Sequence, residues 1–278
     1  MIGAILLMAA QAAPAFAPPL DRSLTMTTET VRSAGPTTRR FVARRTVRFS
    51  AAPDGYRVTI TLDAATPGEA DSDPAGLLRA GFAGLAGRTV VLQLDRAGAV
   101  TGVDDLPAIW RAIIEGMGAM APVGTDPATQ AHAARVRAIV ATLAAQPEAA
   151  QRRMIASLVT PLIAPELVAE AATPAPPRAV RVPAGSIYGQ TELDGLRAVR
   201  SRPDGIEVSV SATGPIAVTT PEGTASARIT LETLRRIDPQ TGLVVESRER
   251  VETLTPDGAL QSERLTVTRL QPAGGTER

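Results

Sequence analysis

The sequence predicts an α+β protein: an antiparallel sheet built from two similar β halves, with a helical segment of about three helices inserted between them and packed on the sheet. Three observations carry that expectation. Apolar and polar residues alternate with period two on both sides of the chain's middle. Between those runs the apolar spacing lengthens to that of an amphipathic helix. Pro-Asp-Gly and Asp…Gly signals then separate the alternating runs in the same order in each half.

Each element follows from its residues. Phe41, Ala43, Val47 and Phe49 alternate with Val42, Arg44, Thr46 and Arg48. Tyr56, Val58, Ile60 and Leu62 alternate with Arg57, Thr59 and Thr61, and Pro53-Asp54-Gly55 lies between the two runs, so they read as a hairpin. Pro67 to Pro74 reads as a polar loop. Val90, Leu92 and Leu94 begin a further strand, which Asp95-Arg96-Ala97-Gly98 turns back into Ala99 to Val103. At Asp104 the period changes. Leu106, Ile109, Ile113 and Met117 share one helical face, with Asp105 ahead of Pro107 as the start. Asp126-Pro127 starts a second helix with Val136, Ile139, Val140 and Leu143 inward, since Asp accepts from the free N–H groups there and Pro has none to lose. Pro147-Glu148 starts a third, with Met154, Ile155, Leu158 and Val159 inward. Strands return with Leu196 to Arg202, the turn Pro203-Asp204-Gly205, and Ile206, Val208 and Val210. Ala225, Ala227, Ile229 and Leu231 follow, then Asp238 to Gly242, a strand to Leu254, the turn Thr255-Pro256-Asp257-Gly258, and a last strand.

The expected organisation is therefore a signal peptide over residues 1–17, an N-terminal β half over 18–103, a helical insert over 104–170, a proline-rich linker over 171–177 and a C-terminal β half over 178–278. The repeated turn order fits an internal duplication. It also fits any meander whose turn residues are dictated by geometry.

Met1 to Leu20 carries no charged side chain, and Ile2 to Ala13 is apolar but for Gln11. Ala13-Pro14-Ala15 and Ala15-Phe16-Ala17 have the small-residue pattern of a cleavage site, although the n-region lacks Arg and Lys. Cleavage after Ala17 puts Pro18 next, which signal peptidases disfavour; cleavage after Ala15 does not. The apolar run is short for a membrane-crossing helix, and no second run in the mature chain is long enough. The expected address is the periplasm or the medium, without a lipid anchor because no cysteine follows. The alternative is an apolar N-terminus on a cytosolic protein.

Of the 278 residues, 44% are hydrophobic and 21% charged, which excludes a wholly disordered chain. All 29 basic residues are arginine against 28 acidic ones, a formal +1, so no strongly basic nucleic-acid surface is expected. Lys, Asn and Cys are absent, in keeping with a GC-rich coding sequence. Without Cys there is no disulfide, thiolate metal site or cysteine nucleophile; without Lys there is no Walker A loop and no Schiff base. No cofactor is expected. Aromatics are 3%, too few for stacking platforms.

The stretch Gly87-Arg88-Thr89-Val90-Val91-Leu92-Gln93-Leu94-Asp95-Arg96-Ala97-Gly98-Ala99-Val100 resembles, in layout, a strand-turn-strand segment that precedes helices in uncharacterised exported β-rich bacterial proteins. The resemblance implies an envelope address and no activity. The layout is also similar to that of open-sheet envelope lipid carriers, in which a curved antiparallel sheet cradles helices; this similarity is one of topology alone.

Candidate chemistry is sparse. His132, the one histidine, sits near a helix start with no Ser or acid at helical spacing, so a hydrolase would need partners gathered from elsewhere in the chain. Gly185-Ser186-Ile187-Tyr188-Gly189 has the wrong spacing for a nucleophile elbow. Asp71-Ser72-Asp73-Pro74-Ala75-Gly76 begins like a calcium loop but has Phe82 where the bidentate Glu belongs. Asp104 and Asp105 read as helix-capping residues or as an acid–base pair. Gly81 to Gly87 lacks the order of a phosphate loop.

The one charge cluster is Arg39, Arg40, Arg44, Arg45 and Arg48. Alternation puts Arg40, Arg44 and Arg48 on one strand face, able to bind phosphate such as a lipid headgroup, or else paired with carboxylates such as Glu246, Glu249 or Glu252 on neighbouring strands. Arg45 falls on the apolar face and needs a partner, a sheet edge or a wet cavity. Trp110 is expected to anchor the first helix to the sheet. Arg45, Arg40, Arg44, Arg48 and Trp110 are thus the candidate ligand-binding residues. The expected function is a non-enzymatic exported envelope protein that binds a lipid-like apolar molecule or a partner protein of the envelope; the alternatives are a hydrolase using His132 and a structural or adaptor module.

Overall fold

The computed structural model describes residues 16–63, 81–173, 175–186, 189–220, 223–255 and 257–274. Strands β1 (Ser23–Ala34), β2 (Thr37–Ala52), β3 (Gly55–Leu62), β4 (Thr89–Asp95) and β5 (Val100–Val103) come first. Helices α1 (Leu106–Gly118), α2 (Pro127–Ala144) and α3 (Glu148–Ala156), a 3-10 turn (Thr160–Leu162) and α4 (Pro165–Ala171) follow. The chain ends in β6 (Arg178–Ser186), β7 (Gly189–Arg202), β8 (Gly205–Thr220), β9 (Gly223–Ile237), β10 (Val244–Leu254) and β11 (Leu260–Pro272).

This corrects the predicted α+β class. The protein is mostly β, with 53% strand against 23% helix, and its strands form one large antiparallel sheet. The helices are few and lie at the sheet's edge, in place of the expected three-helix segment packed on a sheet in an α+β mix. The error has a physical source. Strands β1, β6 and the first part of β7 are rich in Thr, Arg, Gly and Asp and carry little apolar alternation, so the sequence pattern assigns them to no element. Pairing on both sides makes β1 a strand all the same.

The sheet order is β5-β4-β3-β2-β1-β11-β10-β9-β8-β7-β6. Two meanders meet where the first and last strands pair, Leu24 opposite Pro272 through Ala34 opposite Ser262. Register fixes the faces, because side chains alternate. Leu24 and Met26 share a face with Val47 and Phe49 of β2, with Val58, Ile60 and Leu62 of β3, and with Val90, Leu92 and Leu94 of β4. That face packs against Leu106, Ile109, Trp110, Ile113 and Met117 of α1, and against Ile155, Leu158 and Leu162, to form the main core. At the other end the sheet coils so that β6 approaches β9 and β10, which are not its ladder neighbours. There Leu193, Ile229, Leu231 and Val251 fill a second core among the small residues Ala184, Ala212 and Ala227. Between them α4 buries Leu167 and Ala171 against Ile206, Val208 and Ile237.

The three helix starts lie where the sequence puts them. Asp126 caps α2 by accepting from the Thr129 amide at 2.9 Å, and Pro127 opens the helix. Asp105 precedes α1 in a left-handed conformation without a side-chain cap bond. Its neighbour Asp104 caps nothing: it bridges strands, accepting from Gln93 at 2.9 Å and from Arg57. Among the described residues no helix is long and apolar enough to cross a membrane. Trp110 is 6% exposed and anchors α1 as expected.

Candidate functional site

Strand β2 presents its arginines to two different environments. Arg40, Arg44 and Arg48 are exposed, on the face opposite Val47 and Phe49. Arg40 pairs with Glu29 at 2.7 Å and Arg48 with Asp21 at 3.2 Å. The predicted partners Glu246, Glu249 and Glu252 are corrected accordingly. They lie on β10, which β1 and β11 separate from β2, so β1 and the segment leading into it supply the carboxylates instead. The hydrogen bond and charge of Glu29 hold the Arg40 guanidinium above its ordinary pKa. These are solvated pairs, worth little individually.

Arg45 is on the other face. Its ladder neighbours are Met26 on β1 and Leu62 on β3, both buried. Its Nη1 donates to the carbonyl of Leu158, in the turn after α3, at 3.2 Å. Burial pushes the guanidinium pKa down, and among the described residues no carboxylate lies within ion-pair distance of it. Five donors on a planar cation thus meet one carbonyl acceptor among the described residues. Leu158 shares a core with Trp110, whose Nε1 is buried and has no hydrogen-bond partner.

Beyond Met26 the same face turns polar along β1, β11 and β10. Thr28 faces Thr268 at 3.2 Å and Thr30 faces Thr266 at 3.3 Å, hydroxyl to hydroxyl. Next to them Arg264 donates to Glu249 at 2.9 Å. Farther on, Arg197 of β7 holds Glu170 of α4 through two bonds of 2.7 Å, which keep the Glu170 carboxyl below its ordinary range. The face therefore runs from hydrocarbon through the half-buried Arg45 to a half-buried strip of hydroxyls and ion pairs. Sequence reasoning missed this strip, although Thr at every second position of 28–30 and 266–268 is a strand signal in itself.

The five predicted residues do not converge. Arg45 stands on the apolar face, the other three arginines on the opposite one, and Trp110 in the core beneath α1. Two cavities, of ≈ 560 and ≈ 540 Å³, lie elsewhere: one between Gly214, Ala227 and Asp257 at the strand ends, the other between Asp54, Gln93 and Asp104. His132 lies on α2 and makes no hydrogen bond or ion pair with the described residues. The calcium-like loop lies outside the described residues, as do two positions of the Gly185-to-Gly189 run. Among the described residues no cluster of three His, Asp or Glu could hold a metal. Comparison of the chain with protein-family models gives no match, and comparison with curated proteins gives none either.

Proposed function

We propose that this is an exported, non-enzymatic envelope protein that binds an amphipathic anion, an acyl chain with a carboxylate or phosphate head. Arg45 carries the reading. A guanidinium on an apolar face is costly unless a counter-charge compensates it, and its one acceptor among the described residues is a neutral carbonyl. An anionic head replacing the Leu158 carbonyl supplies that charge through a two-pronged contact, the geometry in which arginine excels. The chain of the ligand then lies among Met26, Leu62 and Leu158, where burial of apolar carbon is favourable. The hydroxyl-lined strip beginning at Thr28 offers the polar side of the same path.

Titration with a fluorescent long-chain fatty acid tests this. Wild type should bind it saturably, Arg45→Leu at least tenfold more weakly, and a fatty alcohol of equal length should compete poorly. Equal binding by Arg45→Leu, or no binding by either protein, removes the lipid reading and leaves the adaptor one.

A further inference from the structure

We propose that the leader is removed by hydrolysis of the Ala15–Phe16 bond, which makes Phe16 the first residue of the mature chain and the plug that locks its N-terminus across both halves of the sheet. This rests on the export reading above and adds to it the processing site.

The first residue after the Ala13-Pro14-Ala15 triplet is among the most deeply buried in the protein: Phe16 is 1% exposed. Its ring meets Phe49 edge-on at 5.9 Å and Tyr56 at 5.3 Å. Its carbonyl accepts from the Tyr56 hydroxyl at 2.6 Å. One residue on, the Ala17 amide donates to the Thr241 carbonyl in the β9–β10 turn at 3.2 Å. Phe16 and Ala17 thus tie β2 and β3 of one meander to a turn of the other. The ring lies close against the turn before β5: a Cβ on Gly98 would stand 2.5 Å from Ile163 Cγ2 and 3.1 Å from Phe16 Cδ1.

The competing bond, Ala17–Pro18, fits worse on both counts. It presents a proline after the scissile bond, and its cleavage discards the plug and both hydrogen bonds. Small residues at the third and first positions before Phe16 suit a leader endopeptidase equally well. Water adds across the bond, Ala15 leaves as a carboxylate and Phe16 keeps the new α-amino group. Because Phe16 is buried in the folded protein, the bond is open to the peptidase before the ring docks, so cleavage precedes the last step of folding.

The full chain is to be expressed in a Gram-negative host and the periplasmic product weighed intact. In parallel, chains beginning at Phe16 and at Pro18 are to be released from a fusion without extra residues and melted. The exported product should have lost residues 1–15, and the Pro18 chain should melt roughly 6–15 °C below the Phe16 chain, the cost of emptying an aromatic site. An exported product beginning at Pro18, or equal melting temperatures, overturns the proposal while export stands. An unprocessed chain retained in the cytosol overturns export and the processing site together.

Discussion

Arg45 is the residue on which energetics and function pull apart. Alternation along β2 places it on the apolar face, and that much is legible in the sequence. Its acceptor is not, because Leu158 lies 113 residues away in the chain. A charge on an apolar face, held among the described residues by one neutral acceptor, is poor structural material, and replacement by a hydrocarbon of similar size is commonly neutral or stabilising. Arg45→Leu should therefore fold and melt no lower than wild type in thermal denaturation followed by circular dichroism. A loss of about 2 kcal/mol or more would make the Leu158 contact a structural bond and take away the reason for a ligand. Arg40 and Arg48 answer to ordinary ion pairing on the exposed face. Their partners Glu29 and Asp21 could not be chosen from the sequence, since sheet order decides which strand is the neighbour.

Among elements, those with local signals were readable and those made by pairing were not. Capping Asp and first-turn Pro gave the helix start at Asp126, because a free N–H group is satisfied within one turn, and Pro147 ahead of Glu148 gave the next. Strand β1 has Leu24, Met26 and Val31 among threonines, too thin a pattern to announce itself. The two Pro-Asp-Gly turns were readable and occupy equivalent places, between β2 and β3 and between β7 and β8. At both, a side chain would strike the backbone of the adjacent strand: Leu94 of β4 for Gly55, and the Ile237 carbonyl of β9, at 2.7 Å, for Gly205. Gly55→Ala and Gly205→Ala should each lower the melting temperature, by similar amounts, whereas Gly258→Ala, with open space around it, should lower it less. Helix α4 adds a pH dependence. Glu170 has a folded pKa below its unfolded one, so its contribution is present above the ordinary carboxylate range and is lost as pH falls through the folded value. Amide exchange in α4 should rise on acidification from about pH 6 to about pH 3 more than exchange in β9 does. Arg197→Met should remove most of the difference.

The whole molecule is closed by its ends. Pairing of β1 with β11 joins residues some 240 positions apart and fuses two meanders into one sheet. No sequence period announces such a contact, so the join between the two meanders could not be read from the sequence. The fusion sets apolar and polar stretches of one face side by side, hydrocarbon with Arg45 on one flank and threonine hydroxyls with the Arg264–Glu249 pair on the other. A surface graded in that way suits a molecule with a tail and a charged head. Native mass spectrometry of the protein recovered from the periplasm tests that claim most directly. Wild type should carry a bound acyl anion that dissociates on activation, and Arg45→Leu, equally folded, should fly without it. Two bare proteins, or the same adduct on both, would contradict the account.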